Sequence, residues 1–224
     1  MKKILFLGFI IFSITNLCFT QTYSEGSFPD GQYKFIEDFL NRKPTSNINC
    51  LPYFPEGAED NPIPPNLTEK HVVFRQEDNL KKMRDYFAIV KDGKVYINQW
   101  WIFNLEEDKK SQNKTRNSGN FVLVLKYGKF MYLEGHFNSL KTKGYIIEHD
   151  KDGRDLAEGE GTSHANRTFC IIFNPLIKEF DVFRNCDEFN RFLQTHKFAD
   201  YIACDQKHYT LKNVRSIIDK IFEQ

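Results

Sequence analysis

The chemically active residue types in this chain fall into a few groups, and their spacing decides what each could do. The densest is the segment 148–161, EHDKDGRDLAEGEG, where Asp150, Asp152, Asp155, Glu158 and Glu160 crowd carboxylates together. Calcium takes oxygen ligands from such stretches, but an EF-hand loop needs glycine at its sixth position and glutamate at its twelfth. Here Gly153 stands fourth counting from Asp150. With Lys151 and Arg154 interleaved, the segment reads as a solvated loop, and no metal set is assigned to it. His71, His136, His149, His164, His196 and His208 are scattered, and a lone histidine is more often a structural group than a catalyst. The chain contains no HExxH, GxSxG, Walker, GxGxxG or CxxC string, so no catalytic residue, cofactor or metal is assigned.

Two groups carry a positive expectation. Cys18 lies within the first 20 residues, which read as a removable signal, leaving Cys50, Cys170, Cys186 and Cys204, which allow three pairings. Cys186 opens one expected helix and Cys204 lies just before another, so a bridge between them would tie a helical pair together; the alternative is four small buried hydrophobes. The second group is the run Val95 to Phe103. Read as one strand, it places Tyr96, Asn98 and Trp100 on one face, an aromatic and amide stripe able to stack on a sugar or apolar ligand while hydrogen-bonding it. The competing arrangement is a sheet covered on both faces.

The elements that must position these residues follow from periodicity. Val72–Arg75, Tyr86–Val90, Val95–Phe103, Phe121–Tyr127, Phe130–Phe137, Tyr145–His149, Thr168–Phe173 and Phe180–Phe183 are β-branched and aromatic runs bounded by turn residues. Asp92-Gly93 and Tyr127-Gly128-Lys129 read as tight hairpin turns joining antiparallel neighbours. Six of the eight prolines lie between Pro44 and Pro65, which predicts an irregular wrap and excludes a helix or a central strand there. Phe35–Leu40 is a short amphipathic helix. Asp187–Thr195 and Leu211–Phe222 carry apolar residues at helical spacing, with Asn185 and Thr210 as N-caps. The expected class is α+β, mainly an antiparallel sheet or open barrel with a C-terminal helical pair.

The first residues point to a compartment. Lys2 and Lys3 precede an uncharged apolar core, Ile4 to Ile14, of 11 residues. A bilayer span needs about 20. Polar and small residues follow, with Cys18 and Thr20 placed for cleavage before Gln21, the three-part pattern of a secretory signal. Its removal takes the formal charge from +1 to −1, a balance unsuited to nucleic acid. No later apolar run is longer than a strand, so the mature chain is expected to be soluble without a membrane span. The resulting organisation is a signal peptide at 1–20, a short helix and Pro-rich wrap at 21–70, an antiparallel β region at 71–184 and the helical pair at 185–224.

One motif goes beyond periodicity. D-G-x-Y-x-x-x-E-D-F-x-N-x-K-P, formed by Asp30, Gly31, Tyr33, Glu37, Asp38, Phe39, Asn41, Lys43 and Pro44, resembles the opening of a domain-of-unknown-function family of exported Bacteroidota proteins. K-D-G-K-V-Y-I-N, Lys91 to Asn98, is similar to the same group. The resemblance implies export and an undetermined role, and brings no catalytic residue with it. The resulting expectation is an exported, non-enzymatic envelope or secreted binding protein, in the periplasm, at the cell surface or secreted. Its partner would be a small ligand, a glycan or an envelope protein. The alternative is a hydrolase of the same compartment.

Overall fold

Residues 22–53, 71–104, 119–135, 146–147, 167–183, 185–205 and 209–223 are described by a computed structural model. The expected signal peptide, the acidic stretch 148–161, the Pro-rich residues after Tyr53 and residues 105–118 lie outside the described residues.

Extended runs rich in β-branched and aromatic side chains form ten strands: β1 (Gly31–Tyr33), β2 (Cys50–Tyr53), β3 (His71–Gln76), β4 (Ala88–Lys91), β5 (Lys94–Asn98), β6 (Asn120–Tyr127), β7 (Met131–Gly135), β8 (Ile146–Ile147), β9 (Arg167–Asn174) and β10 (Glu179–Phe183). Among the described residues four helices accompany them: α1 (Ile36–Leu40), α2 (Gln99–Asn104), α3 (Cys186–Thr195) and α4 (Leu211–Phe222). Every strand pairing among the described residues is antiparallel, and the main path runs β1-β4-β5-β6-β7-β9-β10 as an open sheet. The class is α+β, as the periodicity predicts.

Strand β6 is the joint of the sheet. One edge pairs with β5, while the other is divided between β3 at residues 120–122 and β7 at 124–127, with a bulge between Val124 and Lys126. A bulge bends its strand and strengthens the twist. Consequently β6 feeds three separate cores: Phe121 joins one with Cys50, Phe74 and Ile89; Val122 and Val124 join the central one; and Leu125 packs against the one beneath the helices. In the central core the inner faces of β4 and β5 meet those of β7, β9 and β10. Phe87 links them, its ring 5.9 Å from Phe173 and 6.5 Å from Phe180.

The N-terminal motif has a structural account. Asp30 accepts from the amides of Asp92 and Gly93 (2.9 and 3.1 Å), holding the β4–β5 turn, where both residues have positive φ as a type I′ hairpin requires. Gly31 has φ +141°, and a Cβ there would meet Pro44 Cβ and Ser46 O at 2.8 Å, so only glycine fits. The Tyr33 hydroxyl donates to Pro29 O, and its buried ring meets Phe39 edge-on. The segments 30–44 and 91–98 therefore grip each other.

Three boundaries differ from the sequence reading. The Pro-rich stretch contains β2, which pairs with β3 alone among the described residues; Pro52 is tolerated because an edge strand can spare a donor. Strand β1 is too short to give a period. The strand expected over Val95–Phe103 stops at Asn98, and Gln99 onwards is helical. Asn98 is the cause: its Oδ1 accepts from Trp100 N at 3.0 Å, the bond of an N-cap.

Candidate functional site

That change of backbone dissolves the expected stripe. Asn98 is buried, and its Nδ2 donates to Arg84 O and Tyr86 O at 2.8 and 3.0 Å, so its amide is spent on the fold. Tyr96 is half-buried, with its ring edge-on to Phe74 at 5.1 Å in the Cys50–Phe121 core. Trp100, also half-buried, lies on α2 with its ring edge-on to Trp101 at 5.1 Å. Tyr96 and Asn98 stay on β5 while Trp100 lies on α2, so the three present no common strand face.

The expected bridge between Cys186 and Cys204 is present, with Cα atoms 5.4 Å apart. Asn185 and Thr210 cap α3 and α4 through their side-chain oxygens. Asn190, one turn into α3, donates to Ile202 O at 2.8 Å and accepts from Ile202 N at 3.0 Å. Disulfide and amide together hold the 196–205 connection against α3. Cys50 and Cys170 are buried and stand outside the disulfide.

A polar concavity lies where the edge strand β10 meets α3, an open cleft of about 280 Å³. Strand alternation sends Phe180 and Val182 into the central core and leaves Asp181 towards the helices. Helical spacing then brings Glu188, Arg191 and Thr195 to one side, with His196 as the C-cap of α3. His196 is wedged among Phe192, Phe130 and Phe198, at ring separations of 4.7, 4.9 and 6.3 Å. Burial pushes the imidazole below its usual pKa, Asp181 pulls it back up, and Lys129 adds to the lowering. Asp181 is exposed by area, yet its carboxyl faces the helix; partial desolvation pushes it up, opposed by His196 and aided by Glu179. Burial thus biases both groups towards their neutral forms, beside Arg191 in the cleft. Sequence reasoning missed this cleft because its members come from two elements with no local spacing to mark them.

Comparison of the chain with models of known families, with curated proteins and with solved structures yields no match in any of the three. Among the described residues no group of three or more His, Cys, Asp or Glu side chains is arranged to hold a metal ion, and no helix is long and apolar enough to cross a membrane.

Proposed function

We propose that this is an exported, non-enzymatic binding protein that takes a polar ligand, such as a glycan, in the cleft between β10 and α3. The observation that carries the binding role is the convergence of Asp181, Glu188, Arg191 and His196 on one open concavity. Export is supported separately. The N-terminal pattern is that of a cleavable signal, and the Cys186–Cys204 bridge belongs to an oxidising compartment.

A glycan array probed with the mature protein tests the role: binding that Arg191→Ala removes without lowering the melting temperature supports it, and binding indifferent to Arg191→Ala and Asp181→Asn overturns it. Fractionation and N-terminal sequencing test export. A mature start near Gln21 in the periplasm or medium is expected; intact Met1 in the cytoplasm refutes it. The hydrolase reading rests on the Asp181–His196 pair in the cleft, a carboxyl close to an imidazole whose pKa burial lowers. It requires turnover of a chromogenic ester or glycoside that His196→Gln abolishes.

A further inference from the structure

Several cations of the structure are matched by acids. Arg215 grips the buried Glu134, Nε to Oε1 at 2.7 Å and Nη2 to Oε2 at 2.6 Å, and Lys126, Lys178 and Lys220 pair with Asp219, Glu37 and Asp200. A cluster on the β2–β3 ribbon is not. Leu51 stands opposite Arg75 and Tyr53 opposite Val73, and an isolated bridge sets Lys82 opposite Arg75 on the other edge of β3. Opposed residues share a face, so Tyr53, Arg75 and Lys82 lie on one side of the ribbon, while Phe74 enters the core on the other. The Arg75 guanidinium lies over the Tyr53 ring at 5.5 Å and donates from Nη1 to Leu80 O at 3.1 Å. Arg84 joins them at Gly119: a Cβ added to that glycine would stand 2.9 Å from both Lys82 Cε and Arg84 Cγ, so the glycine lets the two cationic side chains lie side by side.

Among the described residues no acid is in an ion pair with Arg75, Lys82 or Arg84, although Glu77, Asp78 and Asp85 lie on the same stretch of chain. Burial lowers the Lys82 pKa, and Arg84 and Arg75 lower it further. Three like charges are thus gathered, one of them partly desolvated, an arrangement that costs stability and that an anion relieves. Composition does not account for it, because the whole chain carries a formal charge of only +1. The form of the surface selects the anion. A small ligand is held in a concave site. Cations ranged across neighbouring strands of an open face suit instead charge repeated along an extended chain, and Tyr53 and Leu51, both exposed, add apolar surface for the faces of sugar rings. A nucleic-acid-binding domain is basic overall, which a chain of 224 residues with a charge of +1 is not.

We infer that the outer face of the β2–β3 ribbon binds an extended acidic polysaccharide, its sulfate or carboxylate groups on Arg75, Lys82 and Arg84. Strands β7 and β9 stand between β6, which β3 joins, and β10, so this face is separate from the cleft proposed above and is tested separately. Surface plasmon resonance of the mature protein on immobilised dextran sulfate, alginate, unmodified dextran and oligo-dT gives the affinities. The parent binds dextran sulfate, alginate or both, which tells sulfate from carboxylate, and passes over dextran. Lys82→Gln and Arg84→Gln each weaken that binding by about tenfold, the worth of one charge-assisted contact. Because each substitution relieves repulsion, neither lowers the melting temperature. Lys212→Gln removes an exposed lysine from α4 and leaves binding unchanged, as does Arg191→Ala in the cleft. The inference is overturned if the folded parent binds neither acidic polysaccharide, if dextran or oligo-dT binds as tightly, or if Lys212→Gln loses as much affinity as Lys82→Gln.

Discussion

The two faces of the β7–β9 ladder are built from the same ten paired residues and differ in kind. On one face Met131, Leu133, Ile171 and Phe173 enter the central core, an aromatic and aliphatic interior continuous with Phe87 and Phe180. On the other, Tyr132 and Glu134 stand opposite Ile172 and Cys170, and the helices covering them bring Arg215. The Tyr132 hydroxyl lies 2.8 Å from Glu134 and 3.3 Å from the Cys170 sulfur. Of the two acceptors the carboxylate is the stronger. The first face is specified by volume and shape, and the second by hydrogen-bond satisfaction.

Four measurements sharpen or break that contrast. The largest loss is expected on the apolar face, where Phe173→Ala opens a void and costs roughly 3–5 kcal/mol in denaturant unfolding. On the polar face Arg215→Leu strands Glu134 and costs about 3 kcal/mol, while Glu134→Leu with Arg215→Leu recovers most of it; a double variant no better than the single would mean that the face is packed like its opposite. Tyr132→Phe is a smaller step, about 1 kcal/mol, because Arg215 still satisfies the carboxylate. The smallest effect is on pH dependence. His196 has a lowered pKa in the fold, so below about pH 6.5 the unfolded chain binds more protons and stability falls towards pH 5. His196→Gln should flatten that part of the curve. The raised pKa of Asp181 acts in the opposite sense at lower pH, where the folded carboxyl protonates first.

Much of the frame was legible in the sequence, and the reason is local consistency. The caps at Asn185 and Thr210, the Asp92-Gly93 turn and the helical spacing of Leu211, Val214, Ile218 and Ile221 each point to the element that forms. The Cys186–Cys204 pairing was readable because both residues lie close to one helical hairpin. The stripe at Tyr96, Asn98 and Trp100 failed for an equally local reason. Gln99 to Phe103 has the aromatic and β-branched content of a strand, and the cap that turns it into a helix is a single asparagine inside an otherwise periodic run. Glu134 left a trace, a lone carboxylate on the face shared with Phe130 and Tyr132, but nothing local names Arg215, which lies 81 residues away, as its partner. The cleft at Asp181 and His196 is likewise made by tertiary packing alone.

The placement of the unbridged cysteines has a consequence for oxidative folding. Cys50 belongs to the core that also holds Phe74 and Phe121, and Cys170 to the core beneath the helices, with the central core between them. Any wrong bridge recruits at least one of these two, and one that joins Cys50 to Cys170 or Cys186 ties together sulfurs that the finished structure keeps in different cores. A chain oxidised in that way cannot close all three interiors and stays open to thiol exchange. A chain with the Cys186–Cys204 bond can complete all three, and in doing so sequesters the remaining thiols from further attack. Burial thus acts as a proofreading step: the correct bond is the one that lets folding hide the competitors.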